Sequence, residues 1–126
     1  MNSSHPLIYV VDDQPVITEF LQSFLDGCGY RIRTFHSPEE AIEAFSQDKE
    51  KPALIITDFH MGEGMNGVEL IHVLQAAHPG LKSLLFSGTA TPELIEQMSP
   101  QPDGFEQKPS SPKRLRETIR SLLAQP

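Results

Sequence analysis

The 126-residue chain has one cysteine, no tryptophan, and only ten basic residues against seventeen acidic ones, a formal charge of −7. Cys28 stands alone in a Gly-Cys-Gly turn, so it cannot close an internal disulfide, and no partner stands at zinc-ligand spacing from it. No apolar run approaches the roughly 18 residues that a membrane-spanning helix needs. Met1 to Pro6 lacks both the basic start and the apolar stretch of a secretion signal, so a cytoplasmic protein without membrane contact is expected. The shortage of Lys and Arg argues against direct nucleic-acid binding, which rests on neutralising phosphates. With 38% hydrophobic and 21% charged residues the chain is composed like a folded globule. Its length is one domain's worth, expected to span 1–126.

What the chain does have is a pattern that repeats. Leu7 to Val11 is a continuous apolar run that ends abruptly in Asp12-Asp13, as suits a strand buried on both faces. Pro15 then opens a helix carrying Val16, Ile17, Phe20, Leu21, Phe24 and Leu25 at spacings of three and four, stopped by Gly27 and Gly29. Tyr30 to Phe35 alternates like a more exposed strand, and Ser37-Pro38-Glu39-Glu40 supplies an N-cap, a first-turn proline and a capping-box glutamate. Ala53 to Thr57 repeats the apolar run and again ends in an aspartate, Asp58. Phe59 to Gly67 reads as a glycine-rich loop, Val68 to Ala77 as a helix, and Leu81 to Phe86 as a third apolar strand followed by Ser87. Thr91-Pro92-Glu93 caps a short helix that the prolines of Ser99 to Pro102 end. Phe105 to Gln107 is a short edge strand, and Ser111-Pro112 opens a last helix with Leu115, Ile119, Leu122 and Leu123 on one face. Strand and helix alternate five times over short connections, so the fold class is α/β, a doubly wound parallel sheet with right-handed crossovers.

Ligands of such a sheet bind outside the carboxyl ends of its strands, where this chain places Asp12, Asp13, Asp58, Ser87 and, just past the last strand, Lys108. Two carboxylates about 5 Å apart repel by roughly 3 kcal/mol at an effective dielectric near 20, so three together call for compensation. A hard divalent cation such as Mg²⁺ is the natural answer, with the lysine as a fixed positive point. A cation, an amine, a hydroxyl and a spare carboxylate suit phosphoryl transfer, which needs positioning and charge neutralisation more than proton chemistry. The spare carboxylate would be the nucleophile.

The Val-Val-Asp-Asp of strand one, the Ile-Ile-Thr-Asp of strand three, the Phe-Ser-Gly after strand four and the Lys-Pro after strand five are similar, in order and spacing, to the motifs of two-component receiver domains. Over essentially its whole length the chain resembles that family. The resemblance implies a flavodoxin-like (βα)5 fold with strand order 2-1-3-4-5. It implies Asp58 as the phosphoryl acceptor, Asp13 as a direct Mg²⁺ ligand, Asp12 as one acting mainly through water, and the His60 carbonyl as a further ligand. Ser87 matches the switch hydroxyl, Phe105 the aromatic that changes rotamer with it, and Lys108 the phosphate-binding lysine, with Lys108-Pro109 cis. The implied donor is a histidine kinase or histidine phosphotransfer protein, and the implied output is a downstream protein met through the helix 4, strand 5 and helix 5 face. The resemblance implies no enzymatic activity beyond the chain's own phosphorylation and dephosphorylation. Lys113, Arg114, Arg116 and Arg120 give that face a local positive charge, read either as a partner surface or as a solvated helix face favourably placed on the helix dipole.

The chain departs from the family after the acceptor. Met61-Gly62 replaces the frequent Met-Pro, and Glu63-Gly64-Met65-Asn66-Gly67 makes the loop one residue longer. His60 and Thr89 occupy the two variable positions that tune phosphoryl lifetime in the family. Two other readings compete: a phosphorylation-independent pseudo-receiver that only binds proteins, and a Mg²⁺-dependent phosphatase. The phosphatase normally has a second aspartate where His60 stands. Taking Asp12, Asp13 and Asp58 out of the total leaves −4, an ordinary surface charge, so the site is where repulsion concentrates. Asp58→Asn is therefore expected to stabilise the metal-free protein, by an amount on the order of 1–3 kcal/mol, while abolishing phosphorylation. Thermal denaturation in a metal chelator measures the first effect, and a destabilised variant would speak against the site.

Overall fold

The computed structural model describes residues 5–98 and 101–125. Five strands, β1 (Leu7–Val11), β2 (Arg31–Phe35), β3 (Leu54–Thr57), β4 (Lys82–Ser87) and β5 (Gly104–Gln107), alternate with α1 (Pro15–Gly27), α2 (Pro38–Gln47), α3 (Gly67–Ala77), α4 (Pro92–Glu96) and α5 (Pro112–Ala124). All neighbouring strands are parallel, in the order β2-β1-β3-β4-β5. This is the expected α/β doubly wound sheet. Ser99 and Pro100, the first two residues of the stretch expected to end α4, lie outside the described residues.

Alternation along the strands builds two cores. Tyr9, Val11, Ile55 and Leu85 face Phe45 of α2, Ile71 and Leu74 of α3 and Ile95 of α4. Ile8, Val10, Leu54, Ile56, Leu84 and Phe86 face Leu21 and Leu25 of α1 and Leu115, Ile119 and Leu122 of α5. Because β1, β3 and β4 are buried on both faces, they read as unbroken apolar runs. Edge strand β2 alternates, as its sequence suggested.

Four of the five helices open on proline, and three of those four are capped by a side chain: Ser37 accepts from Glu40 N, Thr91 from Leu94 N and Ser111 from Arg114 N. The Glu40 carboxylate accepts from His36 N, one residue beyond the Ser37 N–H that a full capping box would use. The complete box lies on α3, where Asn66 and Glu69 exchange side-chain and backbone bonds, so this helix starts at Gly67 and not at Val68. The basic run of α5 also differs from expectation. Lys113, Arg114 and Arg116 stand in its first turns, at the positive pole, and its last turn has no basic residue, so the helix dipole opposes them. Arg114 is instead held by Glu106 of β5, at 2.9 Å.

Opposite the carboxyl ends of the strands, the buried Tyr9 hydroxyl donates to Asp48, which Arg33 also pairs. The Tyr9 bond first, and then Arg33, hold the Asp48 carboxyl below the usual carboxylate range. A depressed carboxyl stabilises the fold above its unfolded-state pKa and ceases to do so as pH falls through the folded one. Tyr9→Phe is therefore expected to be less stable at neutral pH and to lose less on acidification than the parent, with the difference between the two shrinking below about pH 4. Urea denaturation across that range measures it.

Candidate functional site

Strand register brings the singled-out residues to one end of the sheet. Val11 pairs with Thr57, so Asp12 and Asp58 leave adjacent strands at the same level, and Asp58 N donates to Val11 O at 3.1 Å. One strand further, Ser87 ends β4, and Lys108 N donates to its carbonyl at 2.9 Å. The Lys108-Pro109 peptide is cis.

Asp12, Asp13 and Asp58 each offer a carboxylate oxygen, and these three atoms lie within 4.8 Å of one another. Their environments differ. Asp12 is 2% exposed, takes the Gln14 N–H at 3.0 Å, and receives the Lys108 ammonium at 2.7 Å. Burial pushes its carboxyl above the ordinary range; the lysine and the Gln14 N–H pull it down, and the charge on Asp58 adds to the rise. Asp58 accepts from Phe59 N at 2.7 Å and lies 3.4 Å from the Lys108 ammonium. Asp13 is exposed at the rim. Three hard oxygen donors of graded burial, beside one lysine, fit a small divalent cation that keeps part of its water shell.

Ser87 is fully buried, and its Oγ accepts from Thr89 N at 3.1 Å and Ala90 N at 3.2 Å, with Thr89 Oγ1 3.2 Å away. Phe105 on β5 is partly buried and packs on the core that includes Ile95 and Ala90. His60 is exposed on the loop after β3, its ring edge-on to Phe59 at 4.7 Å. Lys108 thus joins Asp12 and Asp58, Ser87 sits one strand away, and the side chains of His60 and Phe105 stand outside the carboxylate group.

In the sequence Gly67 reads as one loop glycine among three. Its N–H donates to Phe59 O at 2.8 Å, and a Cβ placed on it would come within 2.0 Å of the Asp58 carbonyl. The start of α3 therefore lies directly against the backbone of the candidate acceptor, and only glycine permits that approach. The Asn66-x-x-Glu69 spacing was the available signal, since it fixes the first helical residue at 67.

Residues 8–120 match the response regulator receiver domain family. The chain is 32% identical to the two-component response regulator PprB of Pseudomonas aeruginosa over 97% of its own length and 49% of the relative's. It is 29% identical to the DNA-binding response regulator MtrA of Mycolicibacterium smegmatis, over 98% and 53%. The chain thus spans about half the length of these curated relatives. Among solved structures, a CheY-like receiver domain protein from Methanospirillum hungatei superposes with a TM-score of 0.84 at 26% identity, covering 95% of this chain and 94% of that one. The response regulator TrrA of Thermotoga maritima, solved in complex with Mg²⁺-BeF, superposes at 0.80 with 29% identity, covering 93% and 98%.

Gly67→Ala forces the α3 start away from Asp58, and the expected cost is about 3 kcal/mol of stability. Amide resonances of Asp58 and Phe59 are expected to shift more than those of β1. A variant of parental stability would mean that the contact relaxes freely.

Proposed function

The chain belongs to the response regulator receiver domain family, and from that premise we propose that residues 1–126 form a single receiver domain operated by phosphorylation of Asp58. The observation that carries this reading is the group of three carboxylate oxygens within 4.8 Å, with one lysine 2.7 Å from Asp12 and 3.4 Å from Asp58. Asp12, Asp13 and Asp58, with the His60 carbonyl, are the proposed ligands of Mg²⁺. When bound, this ion supplies charge neutralisation to the phosphoryl oxygens.

The donor is a histidine kinase or histidine phosphotransfer protein in the cytoplasm. An Asp58 oxygen bonds to phosphorus as the P–N bond of the donor's phosphohistidine breaks, and the departing imidazole nitrogen keeps the bonding electrons. Lys108 exchanges part of its bond to Asp12 for a phosphoryl oxygen. Ser87 turns its hydroxyl from the Thr89 and Ala90 amides toward the new dianion, and Phe105 follows into the space released. Water later hydrolyses the acyl phosphate, so the chain acts on its own modification and turns over no separate substrate. The readout is a downstream protein bound at the face formed by α4, β5 and α5, without direct contact to nucleic acid or membrane.

Phosphoramidate with Mg²⁺ is expected to add one base-labile phosphate at Asp58, read by mass spectrometry. Beryllofluoride with Mg²⁺ is expected to shift the Ser87 and Phe105 resonances. Neither response should occur in Asp58→Asn. A parent protein silent to both reagents would instead identify a pseudo-receiver, which binds its partner without phosphorylation. Repeated turnover of a phosphomonoester would identify a phosphatase.

A further inference from the structure

The Lys108 side chain is only 16% exposed, and its surroundings account for where its ammonium sits. Its Cβ lies near Gly88, where an added methyl would come within 3.6 Å. The ammonium then stands over the ring of Phe86, 5.5 Å from the centroid, before meeting Asp12 and Asp58. Phe86 is itself 5% exposed, fixed on β4 between the packed residues of α1 and α5. Backbone pairing ties the two residues further, since Phe86 is opposite Glu106 in the β4–β5 register and Lys108 N donates to the next carbonyl, that of Ser87.

We propose that Phe86 is a positioning residue for phosphoryl binding: its ring face holds the Lys108 ammonium at the level of the carboxylates. The inference rests on the reading of Asp58 as phosphoryl acceptor. A lysine carries its charge on a flexible four-carbon stem and gains hydration by swinging outward. An aromatic face within about 6 Å attracts the cation, most strongly where water is excluded, and this ring is nearly fully buried. The attraction is independent of the anion, so it persists while Lys108 loosens its hold on Asp12 and takes a phosphoryl oxygen. An aliphatic side chain at position 86 would keep the site apolar but exert no such pull. A lysine released from the ring would leave Asp12 and Asp58 less compensated, so binding of the bare metal should not weaken with loss of the ring.

The test compares the parent with Phe86→Leu and with 3,4,5-trifluorophenylalanine incorporated at position 86, which keeps the ring's shape and drains its negative face. In the metal-free parent, the Lys108 ε-methylene protons are expected upfield of the other lysines through the ring current, and to return in Phe86→Leu. Beryllofluoride affinity at saturating Mg²⁺ is expected to fall about 3- to 10-fold in both altered proteins. Mg²⁺ affinity alone is expected not to fall, because a lysine released from the ring leaves the carboxylates in place and less compensated. The fluorinated protein keeps the test decisive if Phe86→Leu folds poorly. Parental beryllofluoride affinity in the fluorinated protein, or absence of the upfield shift in the parent, overturns the role of Phe86. A parent that shows the shift and binds no beryllofluoride instead overturns the assignment of Asp58.

Discussion

The Lys108 ammonium, 2.7 Å from Asp12 and 3.4 Å from Asp58, is the compensation on which the carboxyl end of the sheet depends. Asp12 and Asp58 leave adjacent parallel strands at one level, and parallel pairing lets neither carboxylate retreat without disrupting a ladder buried on both faces. The compensating charge comes from the far end of the chain, 96 residues beyond Asp12, and arrives only when β5 has docked beside β4. Site and topology are therefore one requirement. The strand order that closes the sheet is also the order that delivers the lysine, and a chain whose last strand failed to pair would leave its acidic crevice uncompensated.

Most of this arrangement is written locally in the sequence. An apolar run that stops at an aspartate marks both a strand buried on two faces and the place where it ends, because a carboxylate cannot continue into the core. Serine or threonine before proline announces α2, α4 and α5. What stayed hidden depends on contacts between elements. Gly67 looks like any flexible loop glycine until α3 is laid against the Asp58 carbonyl. The three aspartates look equivalent in sequence, yet the fold buries Asp12 beside the lysine and leaves Asp13 at the rim. The basic residues of α5 crowd its positive end, a placement already legible in the Ser111-Pro112 start, whereas the hold of Glu106 of β5 on Arg114 was not.

That crowding has a counterpart on the neighbouring strand. Glu106, 6% exposed, accepts from Arg114 at 2.9 Å, from Thr118 at 2.6 Å and from Ser110 at 3.3 Å. One buried carboxylate thus offsets part of the repulsion at the start of α5 and fixes that helix on the edge strand. It also ties β5 to the loop that follows Lys108-Pro109. Phe105 precedes Glu106 directly, and the side chains of the two residues point to opposite faces of the strand. Any motion of Phe105 on one face would therefore meet a strand held from the other by the three hydrogen bonds of Glu106.

Ser87 shows why a charge placed on Asp58 would be read out by packing. Its oxygen serves as acceptor for two backbone amides, those of Thr89 and Ala90, in a fully buried position. Turning the hydroxyl toward a phosphoryl group would deprive both amides of their acceptor; Thr89 is exposed, but Ala90 is buried, and a buried amide left without a partner costs about 1–3 kcal/mol. The loop from Gly88 to Ala90 must then move to find new partners. It leads directly into α4, a helix of five residues with one buried anchor, Ile95. So short a helix gains little from its own backbone bonds and holds its place by packing. A dianion at Asp58 would thus act first on the buried hydroxyl and, through the Gly88–Ala90 loop, on the weakly anchored helix.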